Sequence, residues 1–343
     1  MGRAAAEGWK HSFQGQRDVA PIHFRDFMTL MQDQAEDVLR DKQLVFLVGA
    51  PRSGTTWLQL LLSRSPSVAT AQETHLFNVF LRGTVEKWDY YRTTGQRAGL
   101  NQVLNDEEFR ALLRNFSGFV FAKIAQSKPS ATVVLEKTPD HVNCWRKILD
   151  VWPEAHFIHI VRDPRSVVAS LRVASKTWAS QWASSRISTN CEGWIRDVTN
   201  GRQIRSATRN YQEVSYQELI SDGPEALLRL LGGLGVPSSL DDCQRYVDEC
   251  NIQNLKAGKL NNAPFDVAKM GKESWRIGTT DSWRVELSAW EIALVEHLTG
   301  PLMSELAFKP VNGSKVMSAL VDMGCTVKNA ARTAKRRLRS LAK

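Results

Sequence analysis

At 343 residues, with 43% hydrophobic and 24% charged residues, the chain has the composition of an ordinary soluble globular protein and the length for one large domain or two smaller ones. Its net charge of +9 favours an anionic ligand or surface. Its apolar runs fall short of the roughly 20 residues that span a bilayer, and its five scattered cysteines suggest neither a disulfide framework nor a zinc site.

The start of the chain also bears on where the protein works. MGRAAAEGWKHSF has no apolar core for a signal peptide, and Ala6 spoils the myristoylation pattern. Scattered cysteines, odd in number, fit a reducing compartment. We therefore expect a cytoplasmic protein.

The first predicted elements are a helix, a buried strand and a glycine-rich loop. Apolar residues recur at helical spacing from Phe24 to Arg40, which predicts an amphipathic helix. Leu44–Val48 is short and wholly apolar, typical of a strand covered on both faces. Residues 49–54 form the loop, and residues 56–64 (TWLQLLLSR) predict the helix after it.

A polar segment separates these elements from the next strand. Residues 83–105 are polar and weakly patterned, which predicts an excursion on the surface. Asn105 or Asp106 is expected to cap a helix that runs to about Ser127.

Two further strands are predicted in the middle of the chain. The apolar runs at residues 131–136 (ATVVLE) and 155–161 (AHFIHIV) indicate buried strands, with a helix over residues 141–152 between them. Asp163 is expected to cap the following helix, and Pro164 to start it.

The last third is predicted to be mostly helical. Residues 178–209 are helix-like and rich in Trp and Arg, and residues 213–216 add a strand. The segment SAWEIALVEHLTGPLMSELAF indicates a closing helical pair that breaks near Pro301.

This alternation of strands and helices predicts an α/β fold with a doubly wound parallel sheet flanked by helices and a P-loop-like loop after the first strand. Ligands of such folds bind at the carboxyl ends of the strands. Arg52, Lys137 and Arg162 follow the three predicted strands, so we expect a site there.

The glycine loop keeps the spacing of a nucleotide-binding P-loop, because four residues separate Gly49 from Gly54 and Thr56 follows. The P-loop lysine is missing: Thr55 takes its place, and Arg52 lies within the loop. Such a loop at a helix N-terminus presents N–H groups to a tetrahedral anion. No apolar run ends in a convincing metal-binding aspartate, so we expect one terminal anion, held by arginine and hydroxyls without a metal.

Two motifs resemble segments of the PAPS-dependent sulfotransferases, whose donor is 3′-phosphoadenosine-5′-phosphosulfate (PAPS). GAPRSGTTWL resembles that family's 5′-phosphosulfate loop, and IVRDPRSVVAS is similar to the segment in which an Arg and a Ser eight positions later hold the 3′-phosphate. The resemblance implies that Arg162 and Ser170 bind the 3′-phosphate. It implies that the 5′ end is held by the loop residues Arg52, Ser53, Gly54, Thr55, Thr56 and Trp57.

Two weaker resemblances extend the donor site. VSYQEL is similar to the family's Y-E-D/E-L segment, which makes Tyr216 a neighbour of the adenine. WRIGTTDSWRVEL is similar to a late R-K-G…W segment, which nominates Arg276 and Gly278 for the 3′-phosphate. Ile277 replaces the lysine of that segment, so the contact is only partly retained.

The resemblance also nominates catalytic residues for an in-line transfer, in which a base takes the acceptor's proton and cations stabilise the leaving oxygen. QETHLF resembles an E-x-H-F-F segment of carbohydrate-modifying members, where the Glu is the base; this implies Glu73, with His75 as the alternative. LEKTPDH resembles their E-K-S/T-P segment and implies Lys137 as a cation, with His141 as a third candidate base. Arg52 is the other cation, acting electrostatically.

The acceptor is not specified by these motifs. Their likeness to carbohydrate-type and bacterial members implies a sugar or related hydroxyl, on a glycan, glycolipid or small molecule, rather than a flat phenol. Residues 83–105 and the Trp-rich stretch 178–194 are expected to line its pocket. Trp178, Trp182 and Trp194 either stack on sugar faces or belong to the core.

We expect one sulfotransferase domain over residues 1–312, with the N-terminal helix packed on it, and a basic tail over residues 313–343. Residues 326–343 hold seven basic residues and no acidic ones. This leaves three alternatives: a peripheral helix on an anionic membrane or polyanion, a helix docked on the domain, or disorder. Nucleic acid is not expected as a partner, and the oligomeric state is not specified.

Two other functions stay open at this level. One is a Mg-dependent nucleotide kinase or hydrolase that has lost its loop lysine. The other is a non-catalytic polyanion-binding protein that uses the basic tail.

Overall fold

The computed structural model describes residues 35–270 and 280–311. Residues 35–39 are helical and end the predicted N-terminal helix, whose earlier residues lie outside the described ranges, as does the basic tail. The strands are β1 (Gln43–Val48), β2 (Val68–Thr70), β3 (Val133–Lys137), β4 (His156–Val161) and β5 (Tyr211–Ser215).

Helices connect the strands, as parallel pairing requires. The α-helices of the described residues are α1 (Thr55–Ser63), α2 (Arg82–Thr94), α3 (Asp106–Gln126), α4 (Trp145–Val151), α5 (Pro164–Ala174), α6 (Ile187–Ala207), α7 (Tyr216–Ser221), α8 (Gly223–Gly233), α9 (Leu240–Glu249), α10 (Ile252–Lys256), α11 (Trp283–Glu286) and α12 (Ala289–Glu305). Shorter turns of helix are the π-helix Leu76–Phe80 and the 3₁₀-helices Leu100–Gln102, Pro139–Asn143 and Val267–Met270.

All five strands run parallel in the order β2-β3-β1-β4-β5. Leu47 of the central β1 pairs with Lys137 on β3 and with Ile158 on β4. The carboxyl ends of β1, β3 and β4 therefore open at one edge of the sheet. The predicted doubly wound α/β fold is confirmed.

Successive side chains of β1 enter two different cores, because the side chains of a strand alternate between its faces. Val45 and Leu47 pack into the core that contains α1 and α8. Phe46 and Val48 pack into the core that contains α3 and α4, where Phe46 stacks on Phe157 with ring centroids 5.6 Å apart. Each such buried side chain contributes about 1.5–3 kcal/mol, so the sheet is a firm base for the loops at its edge.

Both predicted N-caps are confirmed. The side chain of Asn105 accepts hydrogen bonds from the backbone of α3, and Glu108 returns one to complete a capping box. Asp163 caps α5, with Pro164 in the first turn.

Several boundaries differ from the prediction. The polar residues 83–105 are largely helical, and α2 packs through Trp88, which stacks on Phe109 of α3. The helix expected over residues 141–152 is divided into a 3₁₀-helix and α4, and α6 begins at Ile187, later than expected.

The sequence pattern misses β2 and places β5 two residues too late at its start. β2 has only three residues, too few for a periodic pattern. β5 begins at Tyr211 and ends at Ser215, where a capping box starts α7, so Tyr216 belongs to a helix rather than to a strand.

The predicted closing helical pair is wrong. Residues 289–305 form the single helix α12, with Pro301 inside it. An interior proline costs about 3 kcal/mol or more. Ile292 and Val295 before the proline and Met303 after it are all buried, and their packing keeps the helix continuous.

A cluster of hydrogen bonds, here called the Glu136 clasp, fastens residues 72–75 to the end of β3. Glu136 accepts hydrogen bonds from the Thr74 hydroxyl (2.8 Å), the Thr138 hydroxyl (2.7 Å) and Nδ1 of His141 (2.7 Å). Nε2 of His141 accepts the N–H of Phe77 (3.1 Å), which fixes the ring proton on Nδ1. Burial opposes the charge of Glu136, but the His141 imidazole and the Thr138 and Thr74 hydroxyls outweigh it and lower the pKa to about 2.

We expect Glu136→Gln to lower the free energy of unfolding by about 3 kcal/mol at pH 7, because a buried charge-assisted acceptor is lost. Since the pKa of Glu136 lies below its ordinary 4.5, its stabilisation is complete above pH 4.5 and is lost as the pH falls towards 2. Urea unfolding from pH 7 to pH 2 should therefore show a shallower loss for the variant. Exposed Glu192→Gln is the control; equal stability of the two variants at pH 7 would contradict the clasp.

Candidate active site

The loop of residues 49–54 has a left-handed backbone at three positions. The φ angles are 153° at Gly49, 72° at Arg52 and 100° at Gly54. A Cβ atom on Gly49 would lie 2.5 Å from the Ile160 carbonyl oxygen, and one on Gly54 would lie 2.6 Å from the Tyr216 ring. Both positions require glycine, because the loop is pressed against β4 and Tyr216.

The chemistry of this loop suits an anion. Ser53 is fully buried, and its hydroxyl has no hydrogen-bond partner within the described residues. Gly54 is the N-cap of α1 and offers no side chain to the first N–H groups, and the first turn has no acidic residue. These N–H groups and the positive helix end, with the hydroxyls of Thr55 and Thr56, can hold a phosphate- or sulfate-like group. We call residues 49–56 the first anion site.

A second candidate site lies beside it, where β4 passes into α5. Arg162 ends the strand, and Ser170 lies buried on the helix. Nη1 of Arg162 donates to the Arg52 carbonyl (3.1 Å), and Nε of Arg52 donates to the Ser170 hydroxyl (3.0 Å). We call Arg162 and Ser170 the second anion site. The structure brings both predicted sites together, with Arg52 between them.

Aromatic residues flank the two anion sites. The guanidinium of Arg162 lies 3.9 Å from the centre of the Tyr216 ring, and this ring lies 5.7 Å from that of Trp57. The indole N–H of Trp57 donates to the Cys250 carbonyl at 3.0 Å, which fixes the ring. Tyr216 and Trp57 therefore form an aromatic pair beside Arg162 and Gly54. The other two nominated residues, Arg276 and Gly278, lie outside the described residues.

Sequence reasoning missed the support of the second anion site. Arg165 is buried and contacts Asp163 (2.6 Å) and Glu296 on α12 (2.6 Å), and its guanidinium lies 4.1 Å from the Trp283 ring. Burial disfavours the charge of Arg165, but its bonds with Asp163 and Glu296 outweigh burial and raise its pKa. The sequence R-D-P-R could have indicated the contact of Arg165 with Asp163, because the two residues are close neighbours in the chain. It could not have indicated Glu296, which lies far along the chain.

The predicted base, Glu73, lies beside the end of β3, where it meets Lys137. The ammonium of Lys137, whose side chain is 1% exposed, contacts the Glu73 carboxylate and donates to the Thr56 hydroxyl at 3.2 Å. Burial lowers the pKa of Lys137, and the Glu73 carboxylate opposes this effect. Lys137 thus joins the candidate base to the first anion site.

His75 lies on the other side of Glu73. Its Nε2 is 3.4 Å from Oε2 of Glu73, and its Nδ1 is 3.3 Å from the side-chain nitrogen of Asn78. Asn78 in turn donates to Asp140 at 3.2 Å. The backbone of His75 is left-handed, with φ of 50°, and its N–H donates to the Thr138 hydroxyl. His141, by contrast, is fully buried in the Glu136 clasp with both ring nitrogens bonded.

The three tryptophans divide into two groups. Trp194 is buried, and its indole N–H donates to the Arg162 carbonyl at 3.0 Å, so it belongs to the core and supports the second anion site. Trp178 and Trp182 are 48% and 53% exposed and meet edge to face. The guanidinium of Arg52 lies 5.3 Å from the centre of the Trp178 ring.

Two further properties of residues 35–270 and 280–311 concern membranes and metals. No helix there is both long and apolar enough to span a bilayer. No group of three or more His, Cys, Asp and Glu side chains there is placed to hold a metal ion.

Comparison with known proteins finds relatives in sequence and in fold. Nodulation protein NoeE of Sinorhizobium fredii is 24% identical over 308 residues, which are 83% of this chain and 70% of the relative. Protein-tyrosine sulfotransferase 1 of Danio rerio is 26% identical over 200 residues, and the match spans 58% of this chain but only 54% of the relative. A mouse sulfotransferase, SULT7A1, solved in complex with PAP, has the same fold, with a TM-score of 0.50 at 13% identity over 87% of this chain and 95% of that chain.

A profile described as the Sulfotransferase family matches residues 43–242. This range holds all five described strands, both candidate anion sites and Glu73. The match covers more than half of the chain and agrees with the fold. The chain therefore belongs to the sulfotransferase family.

Proposed function

We propose that this enzyme moves a sulfuryl group from PAPS to a hydroxyl of an acceptor, by in-line transfer with Glu73 as general base. The observation that carries the proposal is the position of Lys137, whose ammonium contacts both the Glu73 carboxylate and the Thr56 hydroxyl. A candidate base is thereby tied to the loop that suits the sulfated end of the donor.

The residues at both anion sites fit PAPS. The first site offers to a phosphosulfate the Ser53 hydroxyl, which has no hydrogen-bond partner among residues 35–270 and 280–311, and the N–H groups at the start of α1. The second site offers Arg162 and Ser170 to the 3′-phosphate, and the aromatic ring of Tyr216, which contacts both Gly54 and Arg162, is available to the adenine. Family membership supports the same donor. So does the PAP (3′,5′-adenosine bisphosphate, the desulfated form of PAPS) in the mouse structure.

Each catalytic side chain has a separate task. Bound PAPS supplies an activated sulfuryl group on a phosphate leaving group. Glu73 takes the proton from the acceptor hydroxyl. At the same time the oxygen of that hydroxyl bonds to sulfur, and the bond from sulfur to the phosphate oxygen breaks. The buried ammonium of Lys137 and the guanidinium of Arg52 stabilise the negative charge that develops on that oxygen.

His75 supports Glu73 in this scheme. Its Nε2 lies 3.4 Å from the carboxylate, and its Nδ1 is held by Asn78. A ring that lies between Asn78 and Glu73 limits the rotation of the carboxylate whose other oxygen faces Lys137. As the alternative base, His75 would act directly on the acceptor.

Two other functions are less well supported. A Mg-dependent kinase or hydrolase would need the loop lysine that Thr55 replaces. A non-catalytic polyanion-binding protein would not need a buried lysine between a carboxylate and the loop. Family membership favours the transferase over both.

Glu73→Gln tests the base. We expect kcat to fall by about 10²–10⁴, because the amide keeps the size of the side chain but cannot accept the proton. Affinity for PAP, measured by calorimetry, should stay within about threefold. Transfer of ³⁵S from PAPS to fractionated cell extracts measures turnover while the acceptor is being identified.

The matched control is Glu86→Gln, which changes an exposed carboxylate that is paired with Arg82. It should leave turnover unchanged. Full activity of Glu73→Gln, together with loss of activity in His75→Ala, would assign the base to His75 instead.

Ligand-induced stabilisation tests the donor site. We expect PAP to raise the melting temperature without Mg²⁺. At a PAP concentration one hundred times the dissociation constant, the free energy of unfolding should rise by about 2.7 kcal/mol. Arg162→Ala should weaken PAP binding by about tenfold or more, because a charge-assisted contact is lost.

Arg146→Ala, at an exposed arginine on α4, should bind PAP normally. Stabilisation by ATP with Mg²⁺ but not by PAP would support the kinase or hydrolase. No change in PAP affinity for Arg162→Ala would contradict the second anion site.

A further inference from the structure

Two tryptophans project into solvent beside the anion sites. Trp178 and Trp182 are each about half exposed, and their rings meet edge to face at 5.7 Å and an interplanar angle of 64°. Val173, 41% exposed, precedes them on α5. Single exposed apolar residues are common, but two adjacent large rings next to a reactive centre are a feature of binding sites.

The turn that carries the two tryptophans is well anchored. Ala179 lies between them and is fully buried, and its N–H donates to the Ala174 carbonyl at the end of α5 (3.0 Å). The N–H groups of Trp182 and Ala183 both donate to the Ala179 carbonyl, at 3.1 and 2.8 Å. The rings are therefore presented on a fixed backbone, which lowers the entropy cost of binding a ligand.

Arg52 connects this surface to the reaction centre. Its guanidinium lies 5.3 Å from the centre of the Trp178 ring, while its Nε donates to Ser170. The aromatic surface thus begins one side chain away from both anion sites. A molecule that rests on Trp178 is next to the loop that suits the sulfated end of the donor.

The surroundings of the rings are basic and hydrogen-bonding, with exposed Lys176 and Arg186 on the same stretch of chain. Residues 175–186 contain no Asp or Glu, and exposed side chains around the rings include Thr177, Ser180 and Gln181. Hydroxyl and amide groups of this kind both donate and accept hydrogen bonds. Flat apolar faces with hydrogen-bonding and cationic donors at the rim match a sugar ring, which has an apolar C–H face and hydroxyls at its edge.

We propose that Trp178 and Trp182 form the acceptor platform, and that they stack on the pyranose ring that carries, or adjoins, the accepting hydroxyl. This proposal rests on the proposed function and specifies its substrate class as a glycan or glycoside. The two rings set specificity by position: Trp178 supports the sugar face beside Arg52, and Trp182 closes the edge of the platform.

Binding and transfer are measured separately with the full chain. Neutral methyl pyranosides and short neutral oligosaccharides serve as probes, and a tyrosine-containing peptide represents the competing substrate class. Saturation-transfer NMR reads sugar binding without the donor, and ³⁵S transfer from PAPS reads catalysis. We expect Trp178→Ala to raise KM for the accepted glycoside at least tenfold, with kcat changed less than about threefold and PAP affinity unchanged.

Three variants sharpen the test. Trp178→Phe should recover most of the lost affinity, because a ring face is restored, and Trp182→Ala should show a smaller rise in KM. Phe116→Ala removes a comparably exposed aromatic ring from α3 and should change nothing. A merely structural role of Trp178 would instead lower stability without separating KM from kcat.

The outcomes distinguish the two proposals. Failure of the wild type to bind PAP would refute the proposed donor, whereas the NMR binding of pyranosides would still report on the platform. An unchanged KM and unchanged sugar binding in Trp178→Ala would overturn the platform. Sulfation of the tyrosine peptide with no binding of any pyranoside would overturn the substrate class.

Discussion

The site depends on keeping one ammonium group charged where almost no water reaches it. Lys137 is 1% exposed, burial lowers its pKa, and the Glu73 carboxylate is the counter-ion that opposes this effect. A buried ion pair tolerates the removal of one partner poorly. In the proposed mechanism, an anion that takes the place of Glu73 beside Lys137 would free the carboxylate to accept a proton. A sulfated ligand in the first anion site, next to Thr56, would be such an anion, so this arrangement favours binding of the donor before the proton is removed.

The alternation of side chains along β3 explains how two neighbouring residues act on Glu73 from different sides. Glu136 and Lys137 are consecutive at the end of β3, so their side chains point to opposite faces. Glu136 faces the clasp that holds residues 72–75, and Lys137 faces the Glu73 that this segment carries. The strand thus positions the candidate base from one side and its counter-ion from the other, on a sheet whose two cores are closely packed.

Most of the fold could be predicted from local pattern. Wholly apolar runs marked β1, β3 and β4, and Asn105 and Asp163 marked helix starts, because burial and capping act over a few residues. The three residues of β2 left no pattern, and the continuity of α12 through its proline depends on tertiary packing. The motifs located Glu73, but its contact with Lys137 depends on residues 64 positions apart, and Glu296 meets Arg165 across an even longer stretch of chain. Such partners are set by topology.

Arg52 belongs to both anion sites at once: its carbonyl accepts from Arg162, and its side chain donates to Ser170. Its left-handed backbone, unusual for a residue with a Cβ atom, fixes this double attachment. A ligand that fills both candidate anion sites would meet groups on both sides of Arg52, whereas a ligand with a single anionic end would meet only one side. Arg52 thus couples the two ends of the site through its backbone carbonyl and its side chain together.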